Sequence, residues 1–212
     1  PTANFFEAQL AYMKKDFKLA SELARPLLQM APGNAQLLQL AGATELQLGN
    51  VAQAEIYLTK AVQLAPQLAP ARRLLIATYL RSGQPARALI ALNAAVDKDG
   101  NIEPALYSLA GEVYLQSGDA KKAEAYFAKA LKLDPDNARK RTAVAITHLA
   151  SGQTSGALDE LQDIAATDAG VTADLALISV HVRRKEFDKA LAAVAKLEAK
   201  QPNKPIAANL RG

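Results

Sequence analysis

The chain has 212 residues, of which 50% are hydrophobic, 22% charged and only 5% aromatic, with no Cys and no Trp. This composition argues for a folded, alanine-rich helical protein and against disorder, because apolar content is high and 25 basic residues nearly balance 21 acidic ones. Absent cysteine excludes disulfides, thiolate metal sites and cysteine nucleophiles, and a net charge of +4 is too small for a polycation that binds nucleic acid by charge alone.

The longest uncharged stretch, 26–44, is broken by Pro26, Pro32, Gly33 and Asn34, so it does not read as a spanning helix. No signal peptide or lipidation motif is visible. The first residue is Pro1 rather than Met, and the chain is therefore expected to be an excised or processed piece.

Alanine recurs at Ala20, Ala54, Ala88, Ala123, Ala157 and Ala190, at intervals of 34, 34, 35, 34 and 33 residues. Ahead of each stands a turn residue, in order Lys15, Gly49, Gly83, Gly118, Gly152 and Lys185. After each comes a terminator position, in order Pro32, Pro66, Gly100, Pro135, Ala169 and Pro202. Such a period is the signature of a stacked repeat in which every unit is a helix A, a tight turn and a helix B.

Unit 1 covers 1–34 and departs from the rest, with Glu7 and Ala11 where larger apolar side chains are expected and Phe5, Phe6 and Tyr12 beside them; it reads as a cap or a truncated end. Unit 2, 35–68, places Gly42 at position 8 and Leu58 at position 24. Unit 3, 69–103, has Tyr79 at position 11 and Leu92 at position 24, but it lacks the proline and ends on the polar run Asp97 to Asn101. Its join to the next unit is expected to be longer and more mobile. Unit 4, 104–137, places Tyr107 at position 4, Gly111 at 8, Tyr114 at 11, Gly118 at 15, Ala123 at 20, Phe127 at 24, Ala130 at 27 and Pro135 at 32. Unit 5, 138–170, is one residue short near Asp168, and unit 6 covers 171–204. Residues 205–212 start a seventh unit that stops midway through a helix, so further repeats are expected to follow.

The pattern of unit 4 resembles the tetratricopeptide repeat. That resemblance implies an all-α fold, a right-handed superhelical solenoid of antiparallel helix pairs forming a single array over 1–212. Small residues at positions 8 and 20 let helices A and B approach closely, and glycine at position 15 accepts the left-handed conformation that closes helix A. Tyr79, Tyr114, Leu58, Leu92, Phe127 and Leu161 are expected to fill the space between neighbouring units, while Asn34 and Asn137 supply turn chemistry.

Catalysis finds no support. The sequence has no phosphate loop, no HExxH and no GxSxG elbow, so no catalytic residue, metal or cofactor is assigned. The two histidines, His148 and His181, both fall at position 11, where they replace the aromatic of units 3 and 4; a metal or pH-responsive pair is the alternative. Asp159, Glu160 and Asp163 read as a solvated outer face rather than an acid/base site. The runs 139–141 and 183–185 are basic, but consecutive helical residues point about 100° apart and form no stripe, and stacking aromatics are absent beside them.

In a stacked-repeat architecture, helix A segments present positions 2, 5, 9, 12 and 13 to a concave groove. Position 5 holds Phe5, Gln39, Arg73, Ser108, Thr142 and Leu175; position 9 holds Gln9, Ala43, Ala77, Glu112, Ile146 and Ser179. Arg81, Gln116 and Arg183 stand at position 13 and Arg139 at position 2. This mixture of small, apolar and polar side chains suits an extended peptide or a helix. The Lys and Asn pair with which chaperone-binding members grip a terminal carboxylate is missing, since Phe5 with Gln9 and Gln39 with Ala43 occupy those positions.

The stretches 141–152, 173–178 and 183–191, with Gln201-Pro202 and Asn209-Leu210, are also similar to the long tetratricopeptide-repeat lipoproteins of bacterial exosortase (PEP-CTERM) systems, and 46–50 and 71–75 fit as well. That resemblance implies a Gram-negative, extracytoplasmic, lipid-anchored protein associated with protein sorting and exopolysaccharide production. The expected function is a non-enzymatic interaction scaffold with a protein or peptide partner and no nucleic acid; the alternatives are a structural spacer and a weak nucleic-acid binder.

Overall fold

The structure, a computed structural model, describes residues 2–98 and 100–202. Among them are twelve α-helices, one 3-10 turn at Pro104–Leu106 and no strand. The helices are α1 (Thr2–Met13), α2 (Phe17–Met30), α3 (Ala35–Gln47), α4 (Val51–Leu64), α5 (Ala69–Arg81), α6 (Pro85–Asn93), α7 (Tyr107–Gln116), α8 (Ala120–Leu133), α9 (Ala138–Ala150), α10 (Thr154–Thr167), α11 (Thr172–Arg183) and α12 (Phe187–Lys200). Residues 205–212, read as the start of a seventh unit, lie outside the described residues, as does Asp99.

The chain divides into two compact bodies, Pro1–Leu109 and Ala110–Gly212. Within the first, each helix from α2 to α6 packs on its predecessor, and α1 with α3 and α3 with α5 also touch. Within the second, α8 to α12 pack in sequence and α9 touches α11. In each body the A helices therefore form one layer and the B helices cover it.

Six turns of one geometry set the phase. Gly49, Gly83, Gly118 and Gly152 have φ of 83°, 66°, 84° and 85°, and Lys15 and Lys185 adopt the same left-handed conformation at 63° and 58°. In all six turns the amide at position 16 donates to the carbonyl at position 11 at 2.8–3.0 Å, and the amide at position 15 donates to the carbonyl at position 12 at 2.9–3.3 Å. This paired closure of a helix C-terminus satisfies carbonyls that the helix itself leaves open. Helix starts are capped by side chains in four places: Asp16, Asn34, Asp119 and Asn137 accept the amides of Leu19, Leu37, Lys122 and Lys140.

The six position-20 alanines are all buried. A β-carbon built on Gly42 lies 2.5 Å from Leu58 Cγ, and one on Gly111 lies 2.6 Å from Phe127 Cδ1 and Cε1. Position 24 thus fills the space opened by position 8 of the same unit, which corrects the expectation that Leu58 and Phe127 work mainly between units. Leu161 does reach across, packing with Ala145 of its own unit and with Ala173 and Leu177 of the next.

Position 10 adds a feature the sequence reading missed. Thr44, Thr78 and Thr147 are fully buried there, and each hydroxyl donates to the carbonyl one turn earlier at 2.7–2.8 Å. Val113 takes the same place in unit 4. A threonine that satisfies its own hydroxyl locally occupies a valine-shaped hole without leaving an unpaired buried donor.

Helix α6 is the irregular element. It stops at Asn93, whereas α2, α4, α8 and α12 run to the residue two before proline. The physical reason is the sequence after it, the polar run Asp97 to Asn101, which closes on itself. Asp97 accepts the amide of Asn101 at 2.7 Å, a local closure that competes with helix. Gly100 turns at φ 81° and does not terminate a helix. Ile102 and Leu106 are buried beyond it.

Candidate functional site

Within the second body, four of the residues proposed for positions 5, 9 and 13 line one surface feature, and Glu112, Gln116 and Thr142 do not. Ile146 on α9 and Leu175, Ser179 and Arg183 on α11 line an open cleft of about 520 Å³. Leu149, Ala150, Thr154, Thr172, Ala176, Val180 and Arg184 complete it. Two ridges of α11 form its wall, one running Leu175, Ser179, Arg183 and the other Thr172, Ala176, Val180, Arg184, each at a spacing of four residues. The second ridge was missed, although its spacing from the first is visible in the sequence.

Other candidates are placed differently. Thr142 is 1% exposed and donates its hydroxyl to the Ala138 carbonyl at 2.8 Å, so it offers no surface to a ligand. Ala43, 4% exposed, belongs to the core of the first body. Arg81 donates to the carbonyl of Leu46 at 3.1 Å and so ties α5 to the end of α3. Arg73 stands 4.0 Å from Glu103. Phe5 is half-buried on the cluster of Ala24, Leu27, Leu37 and Ala41, and with Phe6 and Met30 it lines a second apolar pocket of about 330 Å³. Gln9, Glu112, Gln116 and Arg139 are exposed, and Gln39, Ala77 and Ser108 are half-buried.

The charged clusters are ties between helices. Arg141 meets Glu160 at 2.7 Å and Asp163 at 3.2 Å, joining α9 to α10, and Lys140 meets Asp134 at 3.1 Å. Two of the three cations in the 139–141 run are thereby committed, and two of the three acids on α10. Lys200 bonds Asp174 at 2.9 Å and the Ala165 carbonyl at 2.8 Å, fastening α12 to both α11 and α10. His148 faces Glu124 of the preceding unit at 3.3 Å; His181 is buried and lies 2.7 Å from Glu186. That hydrogen bond, with Lys189 nearby, holds the Glu186 carboxyl below the usual carboxylate range. Among the described residues no group of three His, Asp or Glu side chains could hold a metal ion. No helix among them is long and apolar enough to cross a membrane.

Comparison with known proteins gives three family models, each described as the tetratricopeptide repeat, which match residues 35–68, 74–138 and 114–176. Among solved structures, PilF of Pseudomonas aeruginosa is similar at 15% identity over 99% of this chain and 96% of that one, with a TM-score of 0.68. MamA of Desulfovibrio magneticus is similar at 18% identity over 77% of this chain and 92% of that one, with a TM-score of 0.66. The C-terminal part of a tetratricopeptide-repeat protein from Cytophaga hutchinsonii is similar at 15% identity over 96% and 84%, with a TM-score of 0.56. No curated protein matches the sequence. At these identities the structures speak for the fold alone, and with the family matches they establish an all-α solenoid fold with tetratricopeptide repeats over 35–68 and 74–176.

Proposed function

We propose that the chain is a non-enzymatic scaffold that holds a peptide or protein segment against its helix-A layers. The observation that carries this reading is the α9–α11 cleft, where four residues placed by repeat position alone come together with an apolar floor and polar ends. The acids grouped on α10 serve a mechanical purpose, because Arg141 engages two of them. The test places a photo-crosslinking amino acid at exposed helix-A positions, Gln9, Gln116 and Ser179, and at exposed helix-B positions, Lys60 and Ala128. Crosslinks to discrete proteins from the A positions and not from the B positions are expected. No crosslink from any A position would leave the chain a spacer between other elements.

A finer placement rests on sequence similarity alone. We propose that the chain acts outside the cytoplasm of a Gram-negative bacterium as part of a lipid-anchored protein in exosortase-linked sorting or exopolysaccharide production. Deleting the gene in its source and measuring exopolysaccharide output together with export of sorted proteins tests it; normal levels of both would reject the placement.

A further inference from the structure

The α9–α11 cleft has a polarity that narrows the partner. Its floor and walls are apolar along Ile146, Leu149, Leu175 and Ala176, while Arg183 and Arg184 stand together at the end where α11 stops. No acidic side chain lines it, and among the described residues neither arginine has a carboxylate within 4.0 Å, in contrast to Arg87 and Arg141, which are paired. Hydrophobic lining with unneutralised cations at one end is complementary to an amphipathic anion, apolar at one point and acidic at another.

We infer that this cleft receives a short extended peptide segment whose apolar side chain lies over Ile146, Leu175 and Ala176 and whose carboxylate meets Arg183. The inference rests on the reading of the helix-A layers as binding surfaces. Its dimensions follow from helix geometry. Leu175 and Arg183 are separated by eight residues of α11, an axial distance of about 12 Å at about 1.5 Å per residue. An extended peptide covers that distance in about three to four residues at about 3.4 Å each. Successive side chains of an extended chain face opposite ways, so of these separations only four turns both groups toward the cleft, and the recognised pattern is Leu or Phe with Asp or Glu four positions away.

The test uses the chain and a panel of fluorescent heptapeptides that carry one Leu and one Asp at separations of one to five residues in an Ala/Ser background, read by polarisation. A separation of four is expected to bind best, because it alone spans the distance with both side chains on one face. Replacing the peptide Asp by Asn, or making Arg183→Gln in the chain, is expected to weaken binding about tenfold, the size of effect typical of a charge-assisted hydrogen bond. Ser179→Glu, an exposed change in the cleft wall, is expected to do the same, and Arg183→Glu to shift preference to the Leu/Lys versions of the peptides. Circular dichroism checks that each variant keeps its helix content. Equal binding of the Asp and Asn peptides, indifference to Arg183→Gln, or no binding of any Leu/Asp peptide would each overturn the inference. If Gln9 and Gln116 still crosslink partners while the panel fails, the cleft assignment falls and the scaffold reading stands; if neither works, both fall.

Discussion

Gly111→Ala should destabilise the second body although alanine is the better helix former. A β-carbon there sits 2.6 Å from two ring carbons of Phe127, whereas carbon pairs are comfortable at about 3.5–4.0 Å. The ring must therefore withdraw by about 1 Å. Phe127 is 1% exposed and has no solvent side to move toward. Overpacking of this kind costs about 1–3 kcal/mol, and the severity of the contact puts it at the upper end. The helix gains about 1 kcal/mol from Gly to Ala, leaving a net loss of about 2 kcal/mol. In a Phe127→Ala background the ring is gone and the same substitution should become stabilising by about 1 kcal/mol. Urea unfolding of the four proteins forms a double-mutant cycle with an expected coupling of about 3 kcal/mol. Phe127→Ala alone costs about 3–5 kcal/mol, so amide hydrogen exchange in α7 and α8 serves as the readout if that variant is partly unfolded. Gly156→Ala, where an added β-carbon meets nothing within 4 Å, is the control and should stabilise. An equal effect of Gly111→Ala in both Phe127 backgrounds would refute the close-approach argument.

Lys185→Gly should stabilise by about 1 kcal/mol because its residue holds a φ of 58°, and Gly152→Ala at the equivalent turn should cost a similar amount; thermal melts with the same sign for both would contradict the shared turn geometry. Thr147→Val should change stability by less than about 1 kcal/mol, since shape is kept and a locally satisfied hydroxyl is lost, whereas Thr147→Ser should cost about 1 kcal/mol for the missing methyl; both are read by urea midpoint. Asp119 is held below the usual carboxylate range by the Lys122 amide and then by the Lys122 side chain, so its contribution is complete above its unfolded pKa and is lost as pH falls through the lower folded value. Asp119→Asn keeps a capping oxygen but does not titrate, and it should flatten the acid limb of the stability curve; an unchanged acid limb would count against the cap.

How much was legible in the sequence depended on what enforces each feature. The A–B turns were readable because a left-handed backbone leaves a mark on residue choice at Gly49, Gly83, Gly118 and Gly152, and their even spacing carried Lys15 and Lys185 along. The early end of α6 was only half readable: the polar run after Val96 signalled a disturbed join, but not how far back the helix unravels. Burial of Thr142 was hidden because a hydroxyl satisfied by its own helix looks polar on paper and behaves as an apolar group. Arg81 reaching Leu46 was out of reach for another reason, since a long flexible side chain selects its acceptor from tertiary neighbours. The cleft was half found. Repeat position identified Leu175, Ser179 and Arg183, while Ala176 and Val180 required knowing which adjacent ridge of α11 remains open.

The link from each A helix to its B helix contains three residues in every unit, at 14–16, 48–50, 82–84, 117–119, 151–153 and 184–186. Its paired hydrogen bonds admit neither one residue more nor one fewer. Links from B to the next A are closed more lightly, by a single bond from the amides of Asn34, Leu68 and Asn137 to the carbonyl three residues earlier at 2.9–3.4 Å, and the departures from a 34-residue period, the extra residue of unit 3 and the missing one of unit 5, fall at the other two links. Growth and loss of sequence in this lineage should accordingly be quantised at one kind of joint and continuous at the other. For an engineer, a tag, a cleavage site or a whole added module belongs between 94 and 103, where the chain has already absorbed an irregular length.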